Sequence, residues 1–378
     1  MEPRKVSATT VKPQSKEFLC SNCSKIANER CSRCTAVKYC SKKCQKEHWS
    51  SHKSYCNQIK KHMRSVTVEA EALKQYEDWD GETVDLFEES VGNFWGLVDP
   101  RDYCRARHGL DLALHKCGMK NNSKLALELS IEHMLDLVWL NRGDNLGVRV
   151  LIPSIYCMVD RIQEAYDFLK WWTICSKDGN YDWGDIDLPY CNLKDENMYE
   201  ELSALKLHEF TQVHWLVSLF LIKYKLMVKL LAERELYDSF LMGTHTRVGN
   251  DSPVQKLRGV SVVLQTIEDY AMSQRGKYVS VLKGQLIELC KIIDKANKFV
   301  IPALLNPTPL LDQIPPRYMA RETQDEAYAV VDWELDHWLS DPKILDYLMV
   351  LYVDLHGEED AYINIEELPE EPVCHFDF

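Results

Sequence analysis

Between residues 20 and 56 the chain sets seven cysteines and one histidine in the order C-x2-C-x7-C-x2-C-x5-C-x3-C-x7-H-x3-C: Cys20, Cys23, Cys31, Cys34, Cys40, Cys44, His52 and Cys56. Thiolates and imidazoles in fours select zinc among the biological divalent metals, and eight donors make two tetrahedral sites. No coordination position is left over for a substrate or water, so the two Zn2+ ions are expected to be structural. The pairs with two intervening residues suit tight knuckles. Cys40/Cys44 and His52/Cys56, each four apart, suit one face of a helical turn. His48 lies close by as a competing donor, but His52 to Cys56 repeats the step from Cys40 to Cys44 and His48 to Cys56 does not, so His52 is the expected ligand. Spacing alone leaves open which four donors share an ion.

So short a segment cannot bury enough apolar surface by itself, and metal binding must supply its folding free energy. Gln45 and Trp49, four apart, project from one side of a short helix. Trp49 could simply pack a tiny domain. It could also be a partly exposed anchor for a partner, since tryptophan is the type most enriched at binding hot spots. The other seven of the fourteen cysteines are scattered without C-x-x-C pairing. That is metal-site usage in a reducing compartment rather than a secreted disulfide framework.

The stretch VKYCSKKCQKEHWSSHKSYC, with all eight donors in this order, resembles a MYND-type zinc finger over residues 20–56. The resemblance implies an interleaved, cross-braced arrangement, with Cys20, Cys23, Cys40 and Cys44 on one zinc and Cys31, Cys34, His52 and Cys56 on the other. It also implies that His48 is a solvent-facing residue. In MYND modules that bind co-repressors, positions matching Gln45 and Trp49 contact an extended proline-rich segment of the form Pro-x-Leu-x-Pro. By that resemblance the ligand would lie along a small hairpin that here includes Val37–Tyr39. Gln45, Trp49 and Tyr39 are therefore the expected peptide-binding residues, and proteins carrying short proline-rich motifs the expected partners.

Charge is unevenly placed. Residues 1–60 carry thirteen Lys/Arg against four Asp/Glu, whereas the remainder carries 32 against 54. An acidic body argues against nucleic-acid binding, which needs cations for phosphate, and the basic head shows no aromatic stacking platform between its lysines. The first eighteen residues, MEPRKVSATTVKPQSKEF, lack the apolar core of a secretory leader. The most apolar run, WLVSLFLI from Trp215 to Ile222, is too short to cross a bilayer. An intracellular protein, nuclear or cytoplasmic and without membrane contact, is expected.

After Cys56 the pattern becomes that of amphipathic helices broken by polar loops, with few strand-like alternations. The expected fold is mainly α: a small two-zinc cross-braced finger followed by an irregular α-helical array. Its parts are a disordered segment 1–19, the finger 20–56, a helical linker 57–100, an α-helical, repeat-like domain 101–352 and an acidic tail 353–378. Helices are read over Tyr103–Cys117, Ser123–Leu140, Gly147–Met158, Arg161–Thr173, Ser203–Leu231, Val260–Gln274, Lys277–Lys298 and Glu326–Leu339. The proline-rich 299–318 is read as an extended connector. Ala165 followed by an aromatic and Leu169 resembles the helix-pair packing of tetratricopeptide-like repeats, although no 34-residue period runs along the body.

Catalytic patterns are scarce. Many MYND fingers interrupt a SET-type lysine methyltransferase, but no Asn-His-Ser-Cys segment and no second cysteine cluster is present. The histidines of HEFTQVH (208–214) are six apart and cannot share a metal from one helix. Cys104 and His108, with His115 and Cys117 nearby, could form a third metal site but read better as core residues. No phosphate-binding or nucleophile-elbow motif occurs. The expected function is a non-enzymatic, zinc-binding protein–protein interaction adaptor. The alternative is an enzyme or regulator whose site in the helical body carries no familiar motif, with the finger used for targeting.

Overall fold

A computed structural model describes residues 18–175, 181–208, 211–245, 258–316 and 319–367, with side chains outside 233–274, 362 and 367. Residues 1–17 of the expected disordered segment and 368–378 of the expected tail lie outside it, as do residues 209–210 of HEFTQVH. The described residues are mainly helical and fall into two compact units, one from 18–160 with 181–192, the other from 161–175 with 193–367. The array expected over 101–352 is thus divided between them.

The first unit begins with the finger. A two-stranded antiparallel hairpin, β1 (Glu29–Arg30) and β2 (Lys38–Tyr39), pairs Glu29 with Tyr39 and Arg30 with Lys38. The short helix α1 (Lys42–Glu47) starts at Ser41, whose hydroxyl accepts from the Cys44 amide at 3.3 Å. Such a cap satisfies one of the helix's orphan N–H groups. One residue later α2 begins and runs unbroken from Trp49 to Lys74. The sequence reading ends the finger at Cys56 and starts a linker there. In the structure the finger's last helix continues well beyond Cys56, because no Gly or Pro interrupts 49–74.

After α2 come a second hairpin, β3 (Tyr76–Glu77) with β4 (Thr83–Val84), and the short α3 (Leu86–Glu89). Helices α4 (Pro100–Lys120), α5 (Lys124–Leu140) and α6 (Ile152–Met158) complete the unit. Two glycines let α4 approach its neighbours closely. A Cβ on Gly109 would sit 2.7 Å from His62 Nδ1 of α2, and one on Gly118 would sit 2.6 Å from the Leu127 side chain of α5. Segment 181–192 is tied down by the buried Arg142, which donates to the Leu188 carbonyl at 2.7 Å and lies over the Tyr190 ring.

The second unit holds α7 (Ile162–Cys175), α8 (Val213–His245), α9 (Arg258–Ala296), α10 (Val300–Leu305), α11 (Thr308–Leu311), α12 (Gln324–Trp338), α13 (Lys343–His356) and α14 (Glu358–Glu367). Ala165, Tyr166 and Leu169 are buried on α7, as a packed helix face requires. Three readings change here. The two helices expected at 260–274 and 277–298 are one, with Gly276 tolerated inside it at roughly 1 kcal/mol. The proline-rich connector contains α10 and α11, and Pro309 stands in the first turn of α11, where a missing N–H does no harm. The tail expected from residue 353 is helical to Glu367, and Ala361 and Ile365 are buried there.

Candidate metal centre

The fold brings the eight donors into two groups of four. Cys20, Cys23, Cys40 and Cys44 form one, and Cys31, Cys34, His52 and Cys56 the other, with the donor atoms of each group within 4.8 Å of one another. This resolves the pairing that spacing leaves open, and it is the interleaved one. The hairpin explains why. Cys31 follows β1 and Cys40 follows β2, so each strand feeds a different centre, and Cys44 of α1 and the pair His52/Cys56 of α2 close them.

The distances fit the metal. Four sulfurs on one tetrahedral zinc, at a bond length of about 2.3 Å, lie about 3.8 Å apart, and a sulfur and an imidazole nitrogen about 3.6 Å. In the first centre Cys23 Sγ lies 3.5 Å from Cys40 Sγ and 3.7 Å from Cys44 Sγ, with Cys40 and Cys44 3.5 Å apart. In the second, Cys31 and Cys56 are 3.9 Å apart, and Cys34 Sγ is 3.4 Å from His52 Nε2. Sulfur-rich donor sets at these separations hold two structural Zn2+ ions, with four protein ligands on each.

The thiols are prepared for a cation. Burial pushes the Cys20 thiol up, but the amides of Cys40, Asn22 and Cys23 bring it down to about 6. Hydrogen bonding from Cys34 and His52 holds Cys31 at about 3, and Cys34 is driven upward by the same contact and by burial. Burial and the Cys31 charge raise Cys56 to about 11. A bound divalent cation discharges the protons these thiols carry, so metal binding releases protons.

The two centres differ in their surroundings. In the first, Cys20 is buried, Cys40 and Cys44 are half-buried and Cys23 is exposed. In the second, all four ligands are buried. The reason lies outside the finger. One hydrophobic cluster joins Cys31, Cys34, Ala36, Val37, Tyr39, Cys56 and Ile59 to Leu110, Ala113, Leu114 and Cys117 of α4 and Ala126 of α5; of the first centre it takes in Cys20, with Cys40 and Cys44 packed at its edge and Cys23 left outside. Ser123 ties the same place together. Its hydroxyl donates to the Ala36 carbonyl at 2.8 Å while accepting from the Ala126 amide at 3.4 Å as the cap of α5. The finger's core is thus shared with two helices that start only at Pro100 and Lys124, far along the chain from Cys56. Sequence reading misses this floor, for which the only local trace is the small Gly118 and Ala126.

The residues expected at a peptide surface are placed as follows. Gln45 and Trp49 are both half-buried, and Trp49 packs on the shared cluster, edge-on to His52 with ring centroids 6.2 Å apart. Tyr39 is 1% exposed, so its ring points inward and only its backbone is available to a ligand. His48, read as solvent-facing, is half-buried. It shares a 3.0 Å hydrogen bond with the Tyr39 hydroxyl through Nδ1 and stacks on His52. Along β2 the Cys31 amide donates to the Val37 carbonyl, so by antiparallel alternation the Lys38 groups face away from β1. The Lys38 carbonyl already accepts from the Ser21 amide at 3.1 Å.

The third site considered for Cys104, His108, His115 and Cys117 does not form among the described residues. His108 instead bonds the buried Asp111 at 3.0 Å, and burial raises that carboxyl to about 6.

Residues 20–56 match the family described as MYND finger. A curated relative, ubiquitin C-terminal hydrolase 15 of Oryza sativa subsp. japonica, is 47% identical over 53 residues, which is 14% of this chain and 5% of that protein. The chain therefore spans only a small part of the curated relative it matches. No solved structure matches. Residues 20–56 are a MYND zinc finger, a zinc-binding protein-interaction domain.

Proposed function

We propose that the chain is a non-catalytic adaptor whose finger captures an extended, proline-containing segment of a partner at the face bearing Gln45 and Trp49. The observation that carries this reading is the half-exposure of both side chains, Gln45 on α1 and Trp49 at the start of α2, with Trp49 resting on the shared core while part of its ring stays open to solvent. Trp49 offers a rigid indole to a proline ring, and the Gln45 amide offers both a donor and an acceptor to the segment's backbone. Because the Lys38 carbonyl is taken by Ser21, the segment is gripped mainly by side chains, with β2 contributing little more than the Lys38 amide. The finger is fixed on α4 and α5, so the Gln45/Trp49 surface is preorganised and little ordering accompanies binding.

The hydrolase activity in the name of the rice protein does not extend to this reading, since the similarity covers 5% of that protein. The test is titration calorimetry with a Pro-x-Leu-x-Pro peptide. Gln45→Ala is expected to weaken binding about threefold to tenfold, with two zincs per chain retained. Trp49→Ala is expected to abolish it while two zincs per chain remain. Unchanged affinity in both variants overturns the reading.

A further inference from the structure

Between Lys74 and Arg101 the chain holds eight carboxylates and no Lys or Arg. The hairpin of β3 and β4 stands in this stretch, and its turn, Asp78-Trp79-Asp80-Gly81-Glu82, is held by four hydrogen bonds. Asp78 Oδ1 accepts from the Asp80 amide at 3.0 Å and the Glu82 amide at 2.9 Å. The Asp78 amide donates to the Glu82 carbonyl at 2.9 Å, and the Gly81 amide to the Asp78 carbonyl at 3.1 Å. Gly81 has a positive φ, a backbone that suits glycine. The base is fixed as well, because the Tyr76 hydroxyl donates to Asp99 Oδ2 at 3.3 Å.

This ordered turn leaves Trp79 92% exposed. Single exposed aliphatics are ordinary on a protein surface. A tryptophan locked outward by a turn and flanked along the chain by Glu77, Asp78, Asp80 and Glu82 is a different object. An indole face attracts a cation electrostatically, and the carboxylates around it attract more of them.

We propose that this hairpin is a second docking element, which takes a Lys/Arg-rich segment of a partner protein by stacking one cationic side chain on Trp79 and pairing its neighbours with Asp80 and Glu82. Charge complementarity selects the occupant: a stretch of eight carboxylates with no Lys or Arg repels acidic segments, and a lone exposed indole gives an uncharged one little to bury. The rigid turn lowers the ordering needed on this side of the complex. The site is separate from the Gln45/Trp49 face and does not depend on it.

The experiment is fluorescence anisotropy with the zinc-loaded full chain and a labelled twelve-residue peptide of alternating lysine and glycine, against the same peptide with glutamine for lysine. Three variants accompany the wild type: Trp79→Ala, Trp79→Phe, and Asp80→Asn combined with Glu82→Gln. None of these side chains caps the turn, and circular dichroism with zinc content checks the fold. Trp79→Ala is expected to weaken the lysine peptide about tenfold, with partial recovery in Trp79→Phe. The double variant is expected to weaken it several-fold and to flatten its salt dependence. Equal affinity of wild type and Trp79→Ala, equal affinity for the glutamine peptide, or no binding of the lysine peptide each overturns the proposal. So does sedimentation showing a wild-type dimer that Trp79→Ala makes monomeric, since the occupant is then a second copy.

Discussion

The two zinc centres are built from nearly the same donors and stand in unlike places. The Cys20/Cys23/Cys40/Cys44 centre sits at the rim of the finger, with Cys23 exposed, and its ligands come from knuckle, strand end and α1. The Cys31/Cys34/His52/Cys56 centre is buried against Leu110, Leu114 and Cys117 of α4. The ligand grammar makes the centres look equivalent, but packing encloses every ligand of one in a domain core and leaves the other at its edge, with Cys20 inside and Cys23 exposed.

The sharpest way to break that comparison is to remove one ligand from each. Cys31→Ser is expected to cost the first unit on the order of 4–5 kcal/mol, since it opens a fully buried centre. Hydrogen exchange should show lost protection through α4 as well as the finger. Cys23→Ser, measured the same way with metal analysis, is expected to release one zinc and leave α4 protected. Equal spread of exchange from both variants would mean that the centres are energetically alike.

A smaller effect should come from the floor. Leu114→Ala removes a buried side chain beneath the inner centre and is expected to cost about 2–5 kcal/mol in denaturant unfolding. Competition with a chromophoric chelator should show weakened zinc retention at the inner centre only. Ser123→Ala loses both the helix cap and the bond to the Ala36 carbonyl, and about 1–2 kcal/mol is expected from the same unfolding curve.

The mildest test compares metal loss with acid, which also expels zinc from the first unit by protonating its ligands. Burial depresses His133 on α5 to about 4, with a contribution from Arg107, and burial likewise depresses His214 on α8 to about 4. Their folded values lie below the ordinary 6.5, so the stability they reflect is present above pH 6.5 and is lost as pH falls towards 4. Chelator at pH 7.5 should therefore destabilise the first unit, whereas acid should weaken both. His133→Gln is expected to flatten the first unit's acid limb, followed by the exchange of α5 amides.

What can be read from the chain follows the range of each interaction. Donor identity and spacing are local, so all eight ligands and the two-ion stoichiometry are legible. Helix periodicity is local too, and α4, α5, α7 and α12 stand near their expected places. The continuation of α2 is also within reach, since 49–74 holds no Gly or Pro, but the change of composition after Cys56 suggests a boundary that the backbone ignores. Gly276 and the prolines of 299–318 mislead for the same reason: residues that often end helices are tolerated where packing or first-turn placement permits. The shared core cannot be read at all. It depends on Ala36 and Val37 meeting side chains of α4 and α5 much later in the chain, and no periodicity encodes such a pairing. Nor does the sequence show that Tyr39 faces inward, because alternation over so short a strand cannot choose a side.

The unbroken α2 also sets a length. It runs from Trp49 to Lys74, with the Trp79 hairpin just past its far end. A helix of that many residues, rising about 1.5 Å at each, reaches about 39 Å. A rod of that span works as a ruler between the two surfaces. One bivalent ligand chain gripping both must bridge them with about twelve extended residues, and a tether much shorter forfeits all avidity.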